Sequence, residues 1–228
     1  MNFLALDTSS VVCSVAISKE DEIFSSHKVN AESHSLTLIP TIQETLKIAK
    51  IKLNDLDAII LGIGPGSFVG TRIGAAVAQG IAFGVDIEIV TVSSMETIAI
   101  EAMIKNNLDK ITVVQDARMD EVYIGKYALK GVNIETLSPI KIYPIGKEII
   151  SKNNNEITIV GNGSKIYCNH HKNKSIKVLD DNYSLPKACN LIAVGKKLFL
   201  NGKSINPDQL IIDYIRNEVA SIKKKIRI

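Results

Sequence analysis

Residues Gly62–Gly84 read GIGPGSFVGTRIGAAVAQGIAFG, and few folds accommodate such a run. A short apolar strand, Ala58–Leu61, leads into three glycines and a proline within five residues, a turn with open backbone, and then a helix. At about 100° per residue, only Arg72 and Gln79 put strongly polar groups on that helix, and they sit side by side. Gly70, Gly74, Ala78 and Ala82 recur every fourth residue and leave one face with almost no side chain. A helix apolar nearly all round is buried on most sides. Its small-residue face lets another backbone come close. A bilayer span takes about 20 apolar residues, so the stretch reads as a buried helix that something must cover.

The rest of the chain has an ordinary globular balance, with 46% hydrophobic and 22% charged residues over 228 positions. That length supports one large core or two modest lobes. A net charge of +3 is too small to mark a nucleic-acid binder, and part of it comes from the solvated end Lys223–Arg227. Cys13, Cys168 and Cys189 are odd in number and far apart. They fit free thiols in a reducing cytoplasm better than a disulfide framework or a zinc site. The N-terminus enters a strand within three residues, without a basic region, apolar run and cleavage site in series. The expectation is a cytoplasmic protein with no membrane association.

Phe3–Leu6, Val11–Ile17 and Ile23–Val29 read as an antiparallel meander, with Asp7–Ser10 as the first turn. A helix follows near His34–Lys50, with a core stripe of Leu38, Ile39, Ile42, Leu46 and Ala49. Beside that stripe lie Thr37, Thr41, Thr45 and Ile48, while Gln43, Glu44, Lys47 and Lys50 share the remaining arc. A surface helix needs only one apolar stripe, so the spare uncharged face is a candidate contact surface. Pro40 either kinks this helix or marks its start. Ile87–Val92 is a further strand, and Ser93 or Ser94 caps a helix through Lys105. A meander followed by alternating helix and strand predicts a mixed sheet flanked by helices.

The polar break Asn106–Lys110 divides the chain into lobes at 1–106 and 107–228. In the second, Ile111–Gln115 and Val122–Leu129 are strands around an Asp116–Glu121 turn, followed by a lysine- and isoleucine-rich segment. Ser151–Asn155 is a polar loop, Ile157–Val160 a strand, and Gly161–Gly163 a turn before a helix. Pro186–Leu200 is helical, and Leu210–Ile222 is a terminal segment that packs back on the first lobe. No repeat of fixed period is visible.

The catalytic inventory is poor. The glycine loop has the strand–loop–helix outline of an anion site, but no Gly-Lys-Ser/Thr ending makes it a Walker loop. The next strand ends in Ser93, where a dinucleotide fold places an acidic residue. Asp7, Thr8, Ser9 and Ser10 have the outline of the phosphate loop of actin, sugar kinases and Hsp70-type ATPases, and equally of a polar β-turn. A helical metal pair needs a second ligand one turn after His34, but that position is Leu38. His170 and His171 fall in a polar stretch, and no serine lies in a Gly-x-Ser-x-Gly elbow.

Several stretches together resemble the TsaB family, also called YeaZ: Leu4–Ser10 with Cys13–Ala16, His34–Ser35 with Leu38–Pro40, Gly64–Gly74 and Val92–Ser94. Asp116–Arg118 with Glu121–Tyr123, the Gly161–Gly163 turn, and Pro207 with Tyr214–Arg216 fit the same pattern more loosely. The resemblance implies a two-lobed actin-like ATPase fold (ribonuclease H-like, α/β) in a non-catalytic subunit. Its implied partner is the paralogous TsaD, which carries the metal and the transferase site. With the ATPase TsaE, the pair transfers a threonylcarbamoyl group to the adenosine beside the anticodon of tRNA. The departure at Leu38 from the His-x-x-x-His of TsaD favours TsaB. No cofactor is expected on this chain alone, with ATP a feature of the complex, tRNA reached only through the complex, and a homodimer in isolation. The alternative is a stand-alone ATP-binding phosphotransferase or ATPase working from Asp7 and the glycine loop; a peptidase finds no nucleophile and base. Family pairing through the two helices assigns partner contacts to Leu36, Ile39, Ile42, Gln43, Leu46, Arg72, Ile73, Gly74, Val77 and Ala78. It leaves Gly64, Gly66 and Gly70 as a structural loop.

Overall fold

The computed structural model describes residues 1–20, 22–29, 33–131, 133–147, 157–171, 176–179 and 181–212. The expected loop at 151–155, the terminal segment beyond 212 with its Tyr-Ile-Arg run, and the basic end lie outside the described residues.

Two five-stranded sheets share one strand order. In the first, β1 (Asn2–Asp7), β2 (Val12–Lys19) and β3 (Glu22–Val29) form an antiparallel meander, and β4 (Ala58–Gly62) and β5 (Glu88–Val92) continue parallel to β1. The order is β3-β2-β1-β4-β5. In the second sheet β6 (Lys110–Arg118), β7 (Glu121–Lys130) and β8 (Asn133–Pro144) form the meander, with β9 (Ile157–Val160) and β10 (Ile176–Val178) parallel beyond β6. Read from β8 the order is again third, second, first, fourth, fifth. This is the actin-like, ribonuclease H-like arrangement, built twice without a sequence repeat. β1 and β4 are covered on both faces and are continuous apolar runs, as parallel central strands require. The edge strand β3 is mostly exposed and carries Glu22, His27 and Lys28.

Helices α1 (His34–Ala49) and α2 (Phe68–Val85) cover one face of the first sheet, around Leu4, Leu6, Ile59 and Leu61. The last helix, α5 (Ala188–Leu200), covers the other face, around Phe3, Ile60 and Val90. Between them in sequence, α3 (Ser94–Asn106) packs on the second sheet against Ile111, Val113 and Tyr127, and α4 (Ser164–His171) lies on the opposite side of that sheet. The first five strands all precede residue 107, but the helices are exchanged across that point. Helix α3 comes from the first half and serves the second sheet; α5 does the reverse. Where they meet, Lys187 Nζ reaches Glu101 at 2.5 Å and Asn190 donates to the same carboxylate. Nearby, the Ala188 N–H donates to Ser14 Oγ, which also contacts His27 Nδ1.

Some elements depart from the sequence reading. The lysine- and isoleucine-rich segment is the long strand β8, and His170 and His171 close α4 rather than lying in a loop. Pro40 is inside α1, which starts at His34. At 18 residues α2 is long and apolar enough, by length and composition, to cross a bilayer. Here it is a packed helix, with Ala75, Ala78 and Ala82 in the core of the first half.

Candidate functional site

The glycine loop exists to let α2 sit on the β1–β2 turn. A Cβ at Gly62 would collide with the Asp7 carboxylate, one at Gly66 with the Ser9 carbonyl, one at Gly70 with the Thr8 carbonyl, and one at Gly74 with Thr8 Oγ1. Gly64 has φ +88°, a conformation a side chain resists. Backbone and side chains are bonded across the contact: Ser67 N donates to Ser9 O at 2.6 Å, and Thr8 Oγ1 to Gly70 O at 2.7 Å. Ser67 caps α2 by accepting from Gly70 N at 3.1 Å.

Asp7 is the buried centre of this contact. It accepts from Ser9 N (2.8 Å), Ser9 Oγ (2.7 Å) and Ser94 Oγ (2.5 Å), and Ser94 Oγ in turn accepts from Gly64 N (3.0 Å). Burial pushes the Asp7 carboxyl above its ordinary range, outweighing the donors from Ser94 and Ser9 and the attraction of His34. Ser10 Oγ accepts from Val12 N, and its carbonyl accepts from His34 Nε2 at 2.8 Å. A carbonyl only accepts, so Nε2 carries the proton and Nδ1 is a bare acceptor, buried without a partner. The polar groups of a would-be phosphate loop are thus turned onto the protein itself: Ser9 N and Oγ on Asp7, the Thr8 hydroxyl on Gly70.

A cavity of about 820 Å³ opens between the two sheets, with this turn and the start of α2 on one side and the β6–β7 turn on the other. The second turn repeats the first in outline. Asp116 lies near the end of β6 as Asp7 ends β1, and a Cβ at Gly161 or Gly163 would strike Val114 or Asp116 backbone. It is not closed in the same way. Arg118, Met119 and Asp120 all have positive φ, and Arg118 is exposed, with its N–H and guanidinium on Asp116 (2.7 and 3.4 Å). Among the described residues no group of His, Cys, Asp and Glu is arranged to hold a metal ion.

The outer sides of α1 and α2 form the other notable surface. Leu36 is 73% exposed, Ile39 50%, Val69 62% and Phe83 60%. Between them on α2 run Ala76, Gly80 and Gly84, all exposed, and a Cβ at Gly80 or Gly84 would meet nothing within 4 Å.

The sequence model of the family described as TsaD, tRNA N6-adenosine threonylcarbamoyltransferase, matches residues 22–221. The tRNA threonylcarbamoyladenosine biosynthesis protein TsaB of Escherichia coli is 31% identical, over 96% of this chain and 96% of its own length. The chain belongs to the TsaB (YeaZ) branch of that family. The TsaB of Haemophilus influenzae is 30% identical over 96% of this chain and 95% of its own. Among solved structures, YeaZ from Pseudomonas aeruginosa superposes with a TM-score of 0.85 at 28% identity, over 93% of this chain and 99% of that one. An uncharacterised protein of that organism, described as similar to peptidase YeaZ, gives 0.86 at 30% identity, over 94% and 99%.

In this TsaB-family chain the expected partner contacts divide into two sets. Leu36, Ile39 and Gln43 on α1 point outward, and Ile73 and Val77 are half-exposed at the rim of the outer face of α2. Ile42, Leu46, Gly74 and Ala78 do not: Ile42 is 3% exposed, Ala78 is fully buried, and all four face the chain's own core. Their expected role in pairing is corrected accordingly. The spare threonine face of α1 is also internal, with Thr41 and Thr45 buried and bonded back to the carbonyls of Thr37 and Thr41 at 2.7 Å. Arg72 folds onto its own helix, with its guanidinium 3.3 Å from the Phe68 ring centroid and Nη1 on Phe68 O. Gln79 donates to Pro207 O at 2.7 Å. Sequence reasoning found Ser94 only as a helix cap. Its pairing with Asp7, 87 residues away, has no local signal.

Proposed function

We propose that this chain is a non-catalytic subunit in tRNA threonylcarbamoyladenosine biosynthesis that binds a TsaD-like catalytic chain through the outer faces of α1 and α2. The observation that carries the reading is the apolar surface running from Leu36 and Ile39 across to Val69 and Phe83, with the small residues Ala76, Gly80 and Gly84 along it. A surface of that kind marks a protein contact, and small residues let a partner helix approach closely. A TsaD-like paralogue supplies the matching helix pair. In its absence a second copy of this chain occupies the same face as a homodimer. A TsaE-like ATPase and tRNA join through the TsaD-like chain, all in the cytoplasm.

The turned-in groups at Asp7–Ser10 support a subunit that holds no nucleotide of its own, because a phosphate there finds its donors already engaged. Any ATP belongs to the complex. Light scattering of the chain alone and mixed with the TsaD-like protein of the same genome tests the pairing. A one-to-one complex that displaces a self-dimer is the expected result. No interaction, together with saturable binding of magnesium-ATP to the isolated chain, returns the reading to a stand-alone ATPase.

A further inference from the structure

On the side of the molecule away from the large cleft, a second cavity of about 510 Å³ lies between α3, α5 and the start of β8. Two charges of opposite sign line it. Glu96 on α3 accepts from Thr136 Oγ1 at 3.0 Å, and Lys197 on α5 donates to Asn133 Oδ1 at 2.5 Å. Among the described ion pairs neither has a partner, and they do not reach one another. Each therefore meets a neutral side chain and keeps its charge uncompensated at the cavity wall. For Glu96 this is costly, because burial already holds its carboxyl above the ordinary range despite the bonds from Thr136 and the Ser93 backbone. Burial also raises the nearby Tyr127 phenol, and the negative charge of Glu96 raises it further.

The spacing identifies what would compensate both charges at once. Thr136 and Asn133 are three residues apart on β8, a rise of about 10 Å along a strand. That rise sets the scale of the gap between the groups they anchor. An α-amino acid carries an ammonium and a carboxylate about 3 Å apart, and a charge-assisted hydrogen bond of about 2.8 Å at each end extends its reach to about 9 Å. Ile100, Ile134, Val194 and Leu198 supply apolar wall between the two charges, which suits a short aliphatic side chain.

We propose that this cavity binds a free α-amino acid with a small aliphatic side chain, its ammonium on Glu96 and its carboxylate on Lys197. The site lies apart from the outer faces of α1 and α2, so it stands or falls independently of the pairing reading.

Calorimetric titration of the full chain with L-valine, N-acetyl-L-valine and L-valinamide tests it. The expected result is saturable binding of valine with a Kd of about 1 mM or tighter, weakened about tenfold or more by blocking either end. Glu96→Gln keeps the Thr136 bond and removes the charge; Lys197→Met removes the ammonium on the opposite wall. Each is expected to weaken valine binding about tenfold or more, while Lys105→Ala, on the exposed end of α3, leaves it unchanged. Ala193→Phe fills the cavity from its open side and abolishes binding without touching either charge. Thermal unfolding of every variant separates lost binding from lost fold. No saturable binding of valine, or equal binding of the N-acetyl form, overturns the proposal.

Discussion

The two sides of α2 are made of the same kind of residue and serve different ends. On the inner side Gly70, Gly74, Ala78 and Ala82 recur every fourth position; on the outer side Ala76, Gly80 and Gly84 do the same, about half a turn away. Inside, each missing side chain at Gly70 and Gly74 is explained by a named atom of the β1–β2 turn. Outside, the space above Gly80 and Gly84 is open. A small-residue stripe announces that a backbone comes close. It does not say whether that backbone belongs to the same chain.

The contrast predicts opposite outcomes for like substitutions. Gly74→Leu pushes a side chain into Thr8, with Leu6 and Leu61 at 3.5 and 3.6 Å leaving no way round. It is expected to cost about 3 kcal/mol or more, read by urea unfolding, and Ala78→Glu fails similarly by burying an unpaired carboxylate. Were either variant fully stable yet unable to pair, the inner stripe would be the docking face after all. Gly80→Leu is expected to leave the monomer as stable or up to about 1 kcal/mol more so, since glycine is the poorer helix former. In the same variant, affinity for the TsaD-like chain falls about 100-fold or more, measured by light scattering or calorimetry. Undiminished pairing would move the docking face elsewhere.

A smaller effect is expected from Ser67→Ala, which removes the cap that starts the inner contact and costs about 1 kcal/mol, visible as a lowered Tm. The smallest at neutral pH is Asp7→Asn. The amide keeps an acceptor toward Ser9 and donates to Ser94 Oγ in place of accepting from it. Its signature is the pH profile. With the folded carboxyl raised by burial, the folded chain holds the proton in a window above the ordinary aspartate range where the unfolded chain has lost it. Stability therefore falls as pH rises from the unfolded value through the folded one. The amide substitution removes that slope, and a variant that kept it would place the titration on another group.

The second sheet shows how far such a contact can be repeated with a different result. Gly161 and Gly163 press on the β6–β7 turn as the first glycine loop presses on β1–β2. Yet Arg118, Met119 and Asp120 remain at the surface in left-handed conformation, whereas Asp7–Ser9 are buried. This duplication was not legible in the residues, because the same strand order is carried by unrelated side chains. Strand β8 was also hidden. Its charged and proline-interrupted run Asn133–Pro144 lacks a buried face, and β7 holds it as an edge through two register shifts. The glycine loop, the first three strands and the helices after Ser67 and Ser93 were legible, since each is marked by local punctuation or periodicity.

From residue order alone follow the strands and helices of the first half, the need for close backbone approach at Gly62–Gly74, and the missing second ligand at Leu38. Only the tertiary structure decides which way α1 and α2 face. A helix apolar nearly all round has no polar side to orient it, and on α1 the threonines satisfy their hydroxyls on the preceding turn, so they bury as readily as Ile42 and Leu46. The choice is made by the β1–β2 turn, whose carbonyls accept only glycine beside them, and by Ser94, which reaches Asp7 from 87 residues away.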